Sequence, residues 1–237
     1  MTQDWLFDFG NTRLKCAPLQ ADGAPGPVRA LAPSEFDALP AGGVAHVASV
    51  ASESARVQLL EALAQRFHRI ELARTTATFD GLRIAYAQPH KLGVDRFLAM
   101  IGARDAWPAL IVGVGTALTI DLVDATGVHR GGRIAPSPTL MREALHARAA
   151  QLAPAGGEYR EFADDTEDAL VAGCEGAAIA LVERSATEAT RLLGATPRVL
   201  LHGGGAEALR LHLPQAQSRP SLVLEGLARM ATAERTA

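Results

Sequence analysis

The chain is predicted to fold as an α/β protein of two similar halves, and three observations predict it. Strand-like apolar runs alternate with helix-like periods along most of its length. A hairpin near the start is echoed later: Trp5-Leu6-Phe7 enters the turn Asp8-Phe9-Gly10-Asn11-Thr12 and leaves along Arg13-Leu14-Lys15-Cys16-Ala17. The echo runs Leu110-Ile111-Val112-Gly113-Val114-Gly115-Thr116, then Ala117-Leu118-Thr119-Ile120-Asp121-Leu122-Val123. Finally, 237 residues suffice for one large domain or two small ones. Self-similarity of this kind signals duplication, with the halves expected to meet near residue 108.

Taken in order, the hairpin is followed by a Gly- and Pro-rich loop, Ala21 to Pro27, and a strand, Val44 to Val50. A helical period from Ser52 to Phe67 places Val57, Leu60, Leu63, Ala64 and Phe67 on one face. A helix from Asp95 to Trp107 is expected to stop at Pro108. The second half opens with strand 109–113 and hairpin 115–134, where Thr126-Gly127 reads as the turn and Gly131-Gly132 as a bulge or close approach. Helices are expected near Pro138 and from Thr166 to Leu193, followed by strand Arg198–Leu201, a Gly-rich turn and a short helix from Glu207. The segment from Ala153 to Phe162 reads as the mobile loop.

Composition excludes several classes. The 48% apolar and 21% charged fractions are those of a soluble globular protein. No apolar run approaches the roughly 20 residues that span a bilayer, and Asp4 sits where a signal peptide would carry Lys or Arg. A cytoplasmic protein with no membrane partner is expected. Cys16 and Cys174 form no Cys-x-x-Cys pair and read as reduced. The seven histidines show no metal-ligand spacing, and a net charge of −3 offers nucleic acid no global attraction.

The residues that carry chemistry sit at the hairpins and between them. Asp8 ends an apolar strand, where a carboxylate is costly unless paired, hydrated or metal-bound. The functional reading is a Mg²⁺ site held through water beside nucleotide phosphates, since Mg²⁺ keeps most of its waters and uses one or two carboxylates. Gly10 admits a phosphate to the backbone amides, Asn11 and Thr12 offer donors, and Lys15 adds charge. A tight hairpin is the other reading, because Gly-Asn is a frequent turn pair. Thr119 and Asp121 share one face of the second hairpin's outgoing strand; an ordinary hairpin with Asp121 solvated is its alternative. Two such hairpins facing each other would cradle a phosphate chain.

Between them lies Lys91-Leu92-Gly93-Val94-Asp95-Arg96-Phe97. Asp95 reads either as a helix N-cap or as a general base that orients a substrate hydroxyl. Arg96 reads either as a partner for an anionic group or as a helix-surface residue. Thr166, among Asp164, Asp165, Glu167 and Asp168, reads as a helix cap.

Five motifs in this order and spacing resemble the type III pantothenate kinases: Asp8-x-Gly10-Asn11-Thr12, Gly93-x-Asp95-Arg96, Gly115-Thr116-Ala117-x-Thr119-x-Asp121, Gly131-Gly132-x-Ile134-x-Pro136 and Gly203-Gly204-x-Ala206. The resemblance covers nearly the whole chain. It implies two actin-like ATPase (ribonuclease H-like) domains with mixed sheets flanked by helices, residues 1–108 and 109–237. It implies transfer of the ATP γ-phosphoryl group to the 4′-hydroxyl of pantothenate, the first step of coenzyme A synthesis. By position, Asp8, Phe9, Gly10, Asn11, Thr12, Arg13, Leu14 and Lys15 would form the first phosphate loop, with Asp8 near Mg²⁺, and Thr116 would contact ATP. Asp95 would accept the proton within a substrate stretch of Gly93, Val94, Asp95 and Arg96. Tyr86 would contact pantothenate, as would Thr166, reaching the other subunit of a homodimer.

The chain departs from the family pattern at three positions. Members that bind K⁺ or NH₄⁺ usually carry Asp where this chain has Gly113. Ser137 stands where Gly commonly follows Pro, and His202 stands where Thr is usual. Two further readings remain: a non-catalytic accessory or regulatory protein on this fold, and a kinase for another small hydroxy-acid or sugar.

Overall fold

A computed structural model describes residues 2–236. The chain divides into two compact units, one running to Asp105 and resuming at Ser221, the other spanning Ala106–Pro220. The first unit holds a sheet of β1 (Trp5–Phe9), β2 (Leu14–Pro18), β3 (Arg29–Leu31), β4 (Gly42–Ser49) and β5 (Phe67–Leu72) in the order β3-β2-β1-β4-β5. With it go α1 (Glu53–Ala64), the small ribbon β6 (Thr78–Phe79) and β7 (Leu82–Arg83), and α2 (Val94–Gly102). The second unit holds β8 (Ala109–Val114), β9 (Ala117–Val123), β10 (His129–Pro136), α3 (Pro138–His146), α4 (Thr166–Leu193), β11 (Arg198–His202), α5 (Ala206–Arg210) and β12 (Ala216–Ser218). Its sheet runs β10-β9-β8-β11-β12.

The two sheets have one topology. In each, the first three strands in sequence are antiparallel neighbours and the last two add in parallel beside the first. The hairpin echo in the sequence is therefore the start of a duplicated five-strand arrangement. Alternation along β1 sends Phe7 and Phe9 into a core with Leu14, Val47, Leu59, Leu63 and Phe67, and Phe7 meets Phe67 edge to face at 5.5 Å. In the second unit, Leu110, Val112, Val114, Leu118, Ile120 and Leu201 pack against Ala178, Ile179 and Val182 of α4.

Several local expectations are met. The β9–β10 ladder shifts register between His129 and Gly132, with Gly131 at φ +108°, so the glycine pair is a bulge. Ser137 caps α3 by accepting from the Leu140 amide at 3.2 Å, which gives the departure from glycine a local role. Other details differ. The helix expected to reach Phe67 ends at Ala64, and its buried residues are Leu59 and Leu63 while Val57 faces out. Phe67 instead opens β5, where its ring completes the core. At α4, Asp165 and not Thr166 is the cap, accepting from the Asp168 amide at 3.0 Å. The 153–162 segment lacks regular structure but is tethered: Asp168 accepts from the Glu158 amide at 2.7 Å and pairs with Arg160 at 3.0 Å.

The sequence reading placed 109–237 in the second half, and the last helix corrects this. Helix α6 (Leu222–Thr236) belongs to the first unit, burying Leu222, Leu224, Leu227 and Ala228 against α2, β1 and β4. The backbones of α2 and α6 touch through two glycines. A Cβ at Gly226 would overlap the Leu98 carbonyl, and one at Gly102 the Leu222 carbonyl. Gly226→Ala is therefore expected to cost about 1–3 kcal/mol by overpacking, read as a lower urea midpoint. An unchanged midpoint would contradict this close seating of α6.

Candidate functional site

In the first unit the site grows from the alternation of β1. Because Phe7 and Phe9 face the α1 side, Leu6 and Asp8 lie on the opposite face. Helices α2 and α6 pack on that side of β1 and β4. Asp8 stands directly across the β1–β2 ladder from Lys15. Desolvation pushes its carboxyl from an ordinary 3.8 up to about 6; the Lys15 charge opposes the shift and the Asp95 charge reinforces it. Asp8 and Asp95, far apart in sequence, are thus electrostatic neighbours.

The turn between β1 and β2 closes by a hydrogen bond from the Gly10 amide to the Arg13 carbonyl at 3.2 Å. Asn11, Thr12 and Arg13 are exposed on it, while Phe9 and Leu14 anchor its two legs in the core. A side chain at Gly10 would meet nothing closer than 3.8 Å. Packing therefore does not require this glycine, and the space beside the turn is open to a ligand.

Asp95 does not cap α2. The N-cap is Gly93, without a side-chain bond, and Asp95 lies in the first turn, where the helix dipole favours negative charge. A Cβ on Gly93 would come within 2.6 Å of Asp95 Oδ1, so the glycine makes room for the carboxylate. Arg96 is no surface residue: it is buried, donates to the Tyr86 hydroxyl at 3.3 Å and holds its guanidinium 5.9 Å from that ring's centre. Asp8, Lys15, Tyr86, Gly93, Val94, Asp95 and Arg96 all belong to the first unit.

Thr116 and Thr166 belong to the second unit. The β8–β9 turn repeats the first turn's design: the Gly115 amide donates to the Ala117 carbonyl at 3.0 Å, and a side chain at Gly115 would meet nothing closer than 4.0 Å. Thr116 is exposed at its tip. Asp121 is not solvated but buried, 3.1 Å from the Nε2 of the equally buried His129. The pairing of Asp121 with His129 has no local sequence signal, because a bulged ladder sets it. Thr166 lies in the exposed first turn of α4, lining an open depression with Leu152, Ala163, Asp164, Asp165 and Ala169.

The donor set also bears on a metal. No group of three or more His, Cys, Asp or Glu side chains able to hold an ion occurs among the described residues. A partly exposed carboxylate beside an exposed turn suits an ion held mainly by water and phosphate oxygens.

Residues 5–188 match the sequence model of the type III pantothenate kinases. The chain belongs to the type III pantothenate kinase family. A protein of that name from Stenotrophomonas maltophilia (strain R551-3) is 58% identical over 236 residues, covering 96% of this chain and 97% of its own length. One from Xanthomonas campestris pv. campestris (strain B100) is 56% identical over 236 residues, covering 97% of each.

Among solved structures, a conserved Baf family transcriptional activator from Campylobacter jejuni superposes with a TM-score of 0.69 at 19% identity, covering 98% of this chain and 100% of its own. The activator of 2-hydroxyisocaproyl-CoA dehydratase from Clostridium difficile, with bound ADPNP, gives 0.54 at 12% identity, covering 99% and 96%. These likenesses concern the fold alone, two mixed α/β units built alike.

Proposed function

We propose that this chain transfers the γ-phosphoryl group of ATP to the 4′-hydroxyl of pantothenate. The reading is carried by near-full-length likeness to proteins named type III pantothenate kinase. In a loose phosphoryl-transfer transition state the protein mainly positions groups and neutralises charge. The turn from Gly10 to Lys15 receives ATP phosphates on its backbone amides, with Lys15 adding charge, and Thr116 contacts ATP from the second hairpin. Arg96, steadied by Tyr86, pairs with the substrate carboxylate. Asp95 accepts a hydrogen bond from the reacting hydroxyl and takes its proton as the new P–O bond forms. Asp8 would hold Mg²⁺ through water, and the ion when bound neutralises phosphate charge.

The same reading makes the enzyme cytoplasmic and homodimeric. No helix among the described residues is long and apolar enough to cross a membrane. An apolar groove between α3 and α4, lined by Leu140, Met141, Leu145, Leu170, Gly173 and Cys174, offers a surface for a second copy. Thr166, near that groove, would reach the substrate of the other subunit.

A coupled ADP-release assay with pantothenate and a panel of sugars and hydroxy-acids tests the assignment. Turnover is expected with pantothenate alone, and turnover only with another acceptor would overturn it. Because Gly113 supplies no carboxylate, the rate is also expected to be nearly equal in potassium and sodium salts.

A further inference from the structure

Gly113 and His202, far apart in sequence, are one feature in the folded chain. They are direct register partners on the parallel strands β8 and β11, and Thr119 is the partner of Gly113 on its other side, across β9. Val112, Val114 and Leu201 point into the core with α4, so alternation puts Gly113, Thr119 and His202 together on the opposite face. A Cβ built on Gly113 would lie 2.9 Å from His202 Nε2 and 2.7 Å from Thr119 Oγ1. Any side chain there would displace the imidazole, the hydroxyl or both.

The Gly-rich turn after β11 fixes the backbone beside His202. Gly203 has φ +96° and approaches so closely that a Cβ would overlap the Val114 backbone, while the Gly205 amide donates to the Val114 carbonyl at 3.0 Å. His202 and Val114 end two parallel strands, and ligands of open α/β sheets bind beyond the carboxyl ends of such strands. From Gly113 the exposed tip at Gly115 is two residues on, about 7 Å along the chain. An imidazole that is half-buried at this position is within reach of anionic oxygens held by the tip, directly or through one water.

We propose that His202 is a nucleotide-phosphate-binding residue of the second hairpin and that Gly113 is glycine to make room for it. This rests on the reading that the second hairpin receives ATP, which Thr116→Ala tests separately. Four proteins are compared with wild type: Thr116→Ala, Gly113→Ala, His202→Ala and the double variant Gly113→Ala with His202→Ala. Each is characterised by its KM for ATP, KM for pantothenate, kcat and melting temperature.

His202→Ala is expected to raise the KM for ATP about tenfold or more, the worth of a hydrogen bond to a charged group, with kcat and the KM for pantothenate nearly unchanged. Added imidazole should bring that KM back toward wild type. Gly113→Ala should act by displacing the ring, so the double variant should be no worse than His202→Ala. The double variant relieves the clash with the imidazole and leaves only the one with the Thr119 hydroxyl, so the KM of His202→Ala alone keeps the test sound if Gly113→Ala folds poorly. If His202→Ala lowers only the melting temperature, or if the two substitutions simply add, the inference falls. If Thr116→Ala also leaves the KM for ATP unchanged, the hairpin reading falls with it.

Discussion

Asp95→Asn is expected to lower kcat by about 10²–10⁴-fold, the range for loss of a positioned general base, while ATP binding stays within a few-fold of wild type. The amide nearly matches the carboxylate in size, so the space that Gly93 leaves for it is still filled. What goes is the acceptor that orients the hydroxyl and takes its proton. A second effect follows from the charge itself. Asp95 helps to push the Asp8 carboxyl up, so the substitution should let Asp8 ionise at lower pH. Calorimetry of ATP binding between pH 5 and 7 would read that change independently of turnover. Near-normal kcat would remove Asp95 from its role, and an unmoved acid limb of ATP binding would show that the two carboxylates do not communicate.

The sequence made local structure legible and left long-range pairing hidden. The two hairpins and the bulge at Gly131 each follow from a short pattern of alternation and turn residues. The burial of Arg96 against Tyr86 was not legible, because a charged residue in an amphipathic helix reads as surface until its partner arrives from another segment. The seating of α6 beside α2 was hidden for a related reason. Gly102 and Gly226 look like weak helix positions, and only their mutual closeness to carbonyls of the other helix gives them purpose. Gly113 and His202 likewise stand as two unrelated oddities in sequence, joined only by the β8–β11 register. In each case the missing information is a contact between segments, which neither period nor propensity encodes.

Asp8→Asn is expected to abolish most activity and yet to stabilise the ligand-free protein at neutral pH. The sign follows from the direction of the shift. Burial raises the folded-state carboxyl from 3.8 to about 6, so the folded chain holds its proton more tightly than the unfolded chain. Stability from this group is therefore greatest below pH 4, falls as pH rises from about 4 to about 6, and stays lower above. The difference between 3.8 and about 6, at about 1.4 kcal/mol per unit, sets an upper bound of about 3 kcal/mol. Water around a partly exposed carboxylate screens it to about 1–2 kcal/mol. Urea melts should show Asp8→Asn more stable than wild type by that amount at pH 7 and indistinguishable at pH 4. Equal melts at both values would refute the shift. With ATP and Mg²⁺ the order should reverse, since wild type gains binding energy that the amide cannot supply, and turnover of the variant should fall by about 10²-fold or more. A carboxylate that weakens the empty protein and strengthens the loaded one is what a ligand-binding site requires of a buried charge. A purely structural Asp8, paired only with Lys15, would lose stability at pH 7 when neutralised, so the sign of one melt separates the two.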